Sequence, residues 1–581
     1  SSYLELTPSV EGADLYLDSP MTDITFHYNA STATTTAIGY VNGQITTLGN
    51  GSTWMVADLN SGTCQSGLSG SSPMIRMSYQ IGDVHYFDAC GGGDVELWAH
   101  NTSNGTLWAV TDINTAGHSY VGGGLDVLVG DTLFFSAYDG SDYHLWAHDT
   151  SNHSTWKVIE SNSNSAVGAG QGADLLLIHG DVFYFAGDLG NGMELLAYNT
   201  SNGSVWEVVD IASGSAGSYL ESIHKWEHRT GPTLKSPILN DEVFFFYAGT
   251  SYSNRELWAY NISNSTAWEA YAINTQVYYS GNVQYIAHTE DVIYISGECT
   301  TNCNPTSVGN ELWAYNATNQ SGWLVADIAT QTHTTWAHSH PGEYMPDGHE
   351  PLMIEDTFYF DAYVQGYGRE LWAHNTSNGT TWQVANLRYS GTGDSNPGYY
   401  TNGFTHEGRL YFDADDGVKG RELWVYDPSN ASTWRLTDIN PNSGSSIRGF
   451  IGIFGDIFYF DADDGTHGRE LWAYDPSNES SWLVEDINTV YNYPSLTQPS
   501  FPADGKLIHN TIYFRATDQS NDYELFAYQP AEITSSGSSG TCSISPSLPT
   551  GLSIDSSTCT ISGTPTVETS NTTYTVTAVI S

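Results

Sequence analysis

The sequence predicts an all-β protein: a large β-propeller of about nine blades, with eight to ten compatible with the pattern, plus a smaller β-sandwich. Three observations predict it. A unit of about fifty residues recurs along most of the 581-residue chain. Glycine (58), tyrosine (38) and tryptophan (18) are abundant while lysine and arginine total 16, which suits many short strands and tight turns, and helical periodicity is nearly absent. The repeated strands are also out of phase at the two ends of the array, as a closed ring requires.

The clearest copy of the unit runs from Asp456 to Asn488. Ile457–Phe460 and Glu470–Tyr474 are aromatic and aliphatic runs around an Asp- and Gly-rich tract, which predicts strand, tight turn, strand. A second polar turn at Asp475–Asn478 leads to a third strand over Ser481–Ile487. The Glu-Leu-Trp-type strand occurs nine times, starting at Glu96, His144, Glu194, Glu256, Glu311, Glu370, Glu422, Glu470 and Glu524. The strand that follows it also occurs nine times, at Trp54, Trp108, Trp156, Trp206, Trp268, Trp323, Trp382, Trp434 and Trp482. The first unit therefore has only its last strand, and the final unit, Thr511–Tyr528, has only the earlier ones. Pairing Ser52–Leu59 with the unit around Glu524 closes the ring and leaves no sheet edge between first and last. Stretches such as Tyr120–Val129 and Ile447–Phe454 supply a fourth strand per blade. A ten-blade count would need Ala37–Tyr40 to be a degenerate blade strand.

Residues 1–31 do not match the repeat. Tyr3–Leu6, Leu15–Leu17 and Ile24–Tyr28 alternate like sandwich strands, and the Thr- and Gly-rich residues 32–51 read as a linker. The propeller then spans 52–530 and a last domain spans 531–581.

The formal charge of −49 with a pI near 4.3 repels nucleic acid and anionic membrane surfaces, and attracts divalent cations. No apolar run is long enough to span a bilayer, so no direct membrane insertion is expected. A chain starting at Ser1 fits a mature secreted product or a segment of a longer one. Six cysteines fall in local pairs, Cys64 with Cys90, Cys299 with Cys303 and Cys542 with Cys559, which places the chain in an oxidising compartment if they are bridged. The stronger argument for export is sixteen N-glycosylation sequons, at Asn29, Asn50, Asn101, Asn104, Asn152, Asn199, Asn202, Asn261, Asn264, Asn316, Asn319, Asn375, Asn378, Asn430, Asn478 and Asn571. Several are doubled on one repeated turn. The expected location is extracellular, at the cell surface, with N-linked glycans attached.

The pattern aromatic strand, Asp-Asp-Gly, Gly-Arg-Glu-Leu-Trp, then Val-x-Asp-Ile resembles the Glu-Leu-Trp repeat of long extracellular microbial proteins, over roughly residues 52–528. That resemblance implies no catalytic residues. Cys542–Asp555, Thr560–Pro565 and Thr573–Ala578 are similar to the immunoglobulin-like (He_PIG-type) domains of microbial surface proteins. This copy lacks the early strands of such domains, and Ala13–Ala30 resembles them. One sandwich split by the inserted propeller is the expected arrangement; the alternative is that the first residues pair with a neighbouring subunit.

Asp413, Asp415 and Asp416, and likewise Asp461, Asp463 and Asp464, place carboxylates on a glycine turn, as calcium loops do. The competing reading is that Asp-Gly is simply a favoured hairpin turn. His338 and His340 lie in an insert rich in His, Asp and Glu and are a candidate zinc pair, although no spacing there matches a strong metal signature. Arg255, Arg369, Arg421 and Arg469 occupy equivalent repeat positions, which suggests pairing with nearby carboxylates rather than a substrate cluster. No nucleophile elbow or phosphate-binding loop stands out, so the protein is not expected to be an enzyme. The leading reading is a structural subunit of an extracellular filament or surface layer, a homopolymer assembling head-to-tail by strand addition through its terminal region. The alternative is a cell-surface adhesin or glycan- or protein-binding propeller, and a glycan-active enzyme ranks behind both. No cofactor is required, and calcium is the metal this reading favours.

Overall fold

The computed structural model describes the strands within residues 2–39 and 541–579 at backbone level. Between 52 and 530 it describes every residue except 60–76, 92–93, 123–124, 160–174, 191, 215–216, 221–235, 252–253, 274–280, 300–307, 331–337, 347–350, 389–392, 442–444, 490, 493–495, 498 and 518–522. All regular structure described is β-strand, and no helix among these residues is long and apolar enough to cross a membrane. The chain forms two compact units: residues 53–452 with 458–528, and residues 1–52 with 453–457 and 529–581.

The larger unit is a nine-blade β-propeller. Blades are numbered along the chain, blade 1 beginning at Ser78–Ile81 and blade 9 at Ala503–Ile508; blades 1–8 are antiparallel sheets taken in chain order from first to fourth strand, and blade 7 gains a short parallel fifth strand, Ser445–Ser446. Blade 8 shows how sequence makes the strands. Ile457–Asp463 and Arg469–Asp475, the second and third strands, are buried on both faces because the blade packs between two neighbours, so each carries an unbroken apolar run, Ile457–Phe460 and Leu471–Tyr474, beside its polar end. The fourth strand, Ser480–Glu485, is exposed at both ends and half-buried in between. The stretches expected to supply another strand do so as first strands, Asp126–Val129 in blade 2 and Gly449–Phe454 in blade 8.

Neighbouring blades share aromatic cores. Tyr86 and Leu97 of blade 1 pack with Leu133 and Phe135 of blade 2, Phe134 of blade 2 with Phe183 of blade 3, and Tyr184 of blade 3 with Phe244 of blade 4. Tyr315 of blade 5 packs against Phe245 of blade 4, with ring centroids 5.9 Å apart. Tyr411 of blade 7 lies 4.8 Å from Phe458 of blade 8, and Tyr459 of blade 8 lies 5.6 Å from Tyr528 of blade 9. Closure is of the same kind: Tyr513 and Leu525 of blade 9 share a core with Phe87 and Ala89 of blade 1. Blade 9 is completed by Ser52–Ala57, which lies beside Tyr523–Gln529 as its fourth strand.

In the smaller unit one sheet has the order Tyr16–Asp18, Ser2–Leu6, Thr572–Val579, Thr541–Ser545. The register runs antiparallel from Ser2 opposite Val576 to Leu6 opposite Thr572. Thr34–Gly39, within the tract read as linker, instead forms a strand paired with Ile24–Asn29. Its β-branched threonines suit an extended chain. Ala37 therefore belongs to this pair and not to a tenth blade.

Candidate functional site

Consecutive hairpins send alternate turns to opposite ends of a blade, so the ring has two chemically different faces. On one face lie the turns between first and second strands and those between third and fourth. Backbone hydrogen bonds tie the two sets together: Thr102 N donates to Asp83 O (2.7 Å), Thr200 N to Asp181 O (2.8 Å), Ala317 N to Asp291 O (2.9 Å) and Thr376 N to Asp356 O (2.8 Å). All thirteen propeller sequons beyond Asn50 sit in the third-to-fourth turns of blades 1–8. Asn29 falls in the strand Ile24–Asn29, and Asn50 and Asn571 lie outside the described residues.

The other face carries the turns between second and third strands and the connections between blades. Here the expected metal carboxylates have other partners. Asp413 is fully buried; one oxygen pairs with Arg421, and the other accepts from Thr401 N (2.8 Å) and Thr401 Oγ1 (2.7 Å). Asp461, also buried, pairs with Arg469 through both oxygens. Asp415 accepts from Gly417 N (2.7 Å) and faces Arg388 Nη1 at 3.3 Å. Asp416 accepts from Val418 N and Lys419 N and pairs with Arg435 Nη1 at 3.1 Å. Asp463 accepts from Gly465 N (2.7 Å), and Asp464 from Thr466 N, His467 N and the His467 ring. Burial works to raise the pKa of Asp464, but the His467 and Thr466 contacts outweigh it and lower the value. These bonds are the ones a turn needs, and a cation would have to displace them.

Three of the four repeat arginines stack on aromatic residues of the blade connections, and Arg255 lies 4.6 Å from the ring of Tyr247, in the strand Val243–Gly249. Arg369 pairs with the buried Asp361 and with Glu343 and lies 5.2 Å from the Tyr344 ring. Arg421 lies 5.4 Å from Tyr399, and Arg469 lies 4.8 Å from Phe501. His338 and His340 stack on each other with centroids 5.1 Å apart, and His338 Nδ1 accepts from Asn310 N (2.8 Å). His333, Asp347 and His349 of the same insert lie outside the described residues.

Cys90 and Cys299 are disulfide-bonded. Cys64, Cys303 and Cys559 lie outside the described residues, and Cys542 is described only as part of the strand Thr541–Ser545.

Sequence reasoning missed the chemistry of the Glu that opens the Glu-Leu-Trp strand. It is buried, and it accepts from the backbone N–H at the end of its own fourth strand, seventeen residues on: Ile211 to Glu194 (2.9 Å), Ile273 to Glu256 (3.0 Å), Ile328 to Glu311 (2.7 Å), Leu387 to Glu370 (2.9 Å) and Ile487 to Glu470 (3.0 Å). In blade 9 the donor is Leu59 N, 2.7 Å from Glu524, so the returning strand is fastened by the same bond. A serine entering the next blade adds a hydroxyl bond, from Ser339 to Glu311 (2.6 Å) and from Ser395 to Glu370 (2.7 Å). Burial outweighs these bonds and pushes Glu96 and Glu194 up to about 7, and Glu311 and Glu470 up to about 8. The available signal was a Glu repeated inside an otherwise apolar strand.

Residues 510–580 match a family model described as "Putative Ig domain" (He_PIG). The match begins within blade 9, whose strands Thr511–Thr517 and Tyr523–Gln529 belong to the propeller. A propeller with an immunoglobulin-like match fits the broad class of surface or binding proteins. A comparison with curated proteins found no match. Among solved structures, the chain is similar to an oligogalacturonate lyase in complex with manganese (11% identity, 88% of this chain and 97% of that chain, TM-score 0.33). It is also similar to Porphyromonas gingivalis dipeptidyl peptidase 4 (9% identity, 78% of this chain and 58% of that chain, TM-score 0.37). A third is the β-propeller domain of the trilobed protease from Pyrococcus furiosus (10% identity, 64% of this chain and 96% of that chain, TM-score 0.28). At these scores the likenesses carry no argument about activity.

Proposed function

We propose that this is a secreted, N-glycosylated, non-catalytic structural subunit of an extracellular filament or surface layer, joined to its neighbours by strand addition. The observation that carries the reading is the sheet in which Ser2–Leu6 lies between Tyr16–Asp18 and Thr572–Val579. A sheet assembled from chain segments more than five hundred residues apart is open to exchange. The same five-residue register made with the next subunit keeps every backbone hydrogen bond, so the intramolecular and intermolecular forms differ mainly in the entropy of association. Exchange in one direction, each subunit donating to the next, is heterologous and builds an open chain where its rotation does not close a ring, whereas reciprocal exchange would close a dimer.

The test is electron microscopy of the full chain at rising concentration beside a variant lacking residues 1–18. Linear polymers with a constant repeat in the full chain and dispersed particles in the variant are expected. Single particles from the full chain at every concentration, or unchanged polymers from the variant, would overturn the reading.

The alternative, a glycan- or protein-binding adhesin, draws support from the sequon-free face with its arginine–aromatic pairs.

A further inference from the structure

We infer that glycans are carried by the second asparagine of each third-to-fourth turn and not by the first, so that eight glycans ring one face of the propeller and leave the opposite face bare. This deepens, and rests on, the reading of the protein as N-glycosylated. The acceptors are Asn104, Asn202, Asn264, Asn319 and Asn378, each three residues after another sequon asparagine, and Asn152, Asn430 and Asn478, each three residues after an aspartate.

The two positions do different work. At the first, Asn101 Oδ1 accepts from Ser103 N (3.0 Å), Ser103 Oγ (2.7 Å) and Asn104 N (3.2 Å). Asp149 makes the same turn in blade 2, through Ser151 N (2.8 Å) and Ser151 Oγ (2.6 Å), as do Asp427 and Asp475 in blades 7 and 8. The turn therefore needs only an acceptor oxygen there, and three of eight blades supply it with a residue that cannot be glycosylated.

At the second position an acceptor oxygen is again used in all eight blades. The backbone N–H two residues on donates to it, as from Thr106 to Asn104 (2.9 Å), Ser154 to Asn152 (2.9 Å) and Ser432 to Asn430 (3.0 Å). Aspartate would serve equally for that bond. Yet this chain, with 65 acidic residues, has asparagine at all eight and a Ser or Thr two residues later in every one. In blades 2 and 8 the amide nitrogen donates to the aspartate that opens the turn, and in the other six blades it is the group that the turn does not explain.

Accessibility separates the two as well. The second asparagine is exposed in all eight blades, whereas Asn101, Asn199, Asn261, Asn316 and Asn375 are half-buried. Asn375 also donates its Nδ2 to Thr357 Oγ1 (3.0 Å). The residue after the second asparagine takes a left-handed backbone in each turn, including the non-glycines His153, Ser265, Gln320, Ala431 and Glu479 (φ 53 to 59°), which fixes the tip in one geometry.

In the transfer, Nδ2 forms a bond to the anomeric carbon of a polyprenyl-phosphate-linked oligosaccharide. The carbon–oxygen bond to phosphate breaks, the lipid phosphate leaves with the electron pair, and the amide gives up one proton. One N–H remains, which is all that the bonds from Asn152 to Asp149 (2.7 Å) and from Asn478 to Asp475 (2.8 Å) require. Six of these turns bond to the first-to-second turn of their blade, and in blades 7 and 8, where Pro428 and Pro476 have no N–H to donate, the same strand order puts the turn at the same end, so all eight sugars leave from one face. Asn50 precedes Ser52–Ala57 at the same spacing in sequence; it lies outside the described residues and is not counted.

The test is expression of the full chain in an N-glycosylating secretory host. Release by peptide N-glycanase in heavy-oxygen water follows, with tandem mass spectrometry locating each labelled aspartate. Label at the eight second positions, with the five first positions unlabelled, is expected. Label on the first asparagines, or spread evenly over each pair, overturns this inference while leaving the glycoprotein reading intact; no label at any of the sixteen sequons overturns both. As a second measurement, Asn→Asp at the five first positions keeps the turn acceptor and should leave the glycan number unchanged. The same change at their five partners should remove five glycans from a folded chain.

Discussion

Replacing Glu311 by Gln should make the stability of the propeller less sensitive to alkaline pH. One carboxylate oxygen of Glu311 accepts from Ile328 N (2.7 Å), Ala329 N (3.4 Å) and Ser339 Oγ (2.6 Å), while Oε1 has no hydrogen-bond partner and is buried. Burial, with a smaller push from Asp327, raises the carboxyl from 4.5 to about 8. A raised folded value means that the folded protein holds a proton the unfolded chain gives up. The contribution to stability is therefore complete below about 4.5 and is lost as pH rises through about 8. At about 1.4 kcal/mol per tenfold change in proton affinity, the loss is at most roughly 5 kcal/mol. Glutamine keeps an acceptor for Ile328 and Ser339 and puts its neutral NH2 where Oε1 stood. It should lie within about 1 kcal/mol of the parent at pH 5 and exceed it by several kcal/mol at pH 9. Urea unfolding followed by tryptophan fluorescence at half-unit steps measures the difference. Taking variant minus parent at each pH cancels the other buried glutamates. A difference that stays flat from pH 5 to 9 would refute the assignment of a protonated Glu311.

Two further outcomes are expected. Arg369→Met leaves the fully buried Asp361 without its cation and should destabilise by about 3 to 5 kcal/mol in urea unfolding, most of it recovered when Asp361→Asn is added; no recovery would mean that packing against Tyr344 dominates. Because Asp415 and Asp416 already bond to turn N–H groups and to Arg388 and Arg435, and Asp464 to turn N–H groups and the His467 ring, millimolar calcium or a chelator should leave the thermal midpoint unchanged, and a midpoint rising with calcium concentration would show that these turns rearrange around the ion.

Much of the architecture was legible because a propeller repeats its hydrophobic pattern. Ile457–Phe460 and Leu471–Tyr474 are apolar since both faces of the middle strands are covered by neighbouring blades, and a short apolar run between Asp-Gly turns has few other solutions. First strands were harder. Gly449–Phe454 has five half-buried residues and one buried one, and Met353–Ile354 is only two residues long, so their periodicity is weak. Thr34–Gly39 looked like linker because threonine and glycine serve in both turns and strands, and only the pairing with Ile24–Asn29 decides between them. The paired aspartates show the same limit at the level of chemistry. Asp461 and Asp463 stand two residues apart in one motif, yet the first is buried against Arg469 and the second caps a turn.

The sequence by itself determined the strand pattern, the nine-fold repeat and the phase mismatch that lets a ring close, since each is a matter of local spacing and residue type. Tertiary structure alone decided what the polar repeat residues do. Whether a Glu is a solvated surface charge or a buried acceptor holding the end of a fourth strand depends on the blade packed beside it. Which asparagine of a doubled sequon faces water depends on a turn bonded to its neighbour. Those are properties of groups brought together from distant parts of the chain, and burial and hydrogen bonding are set only when they meet.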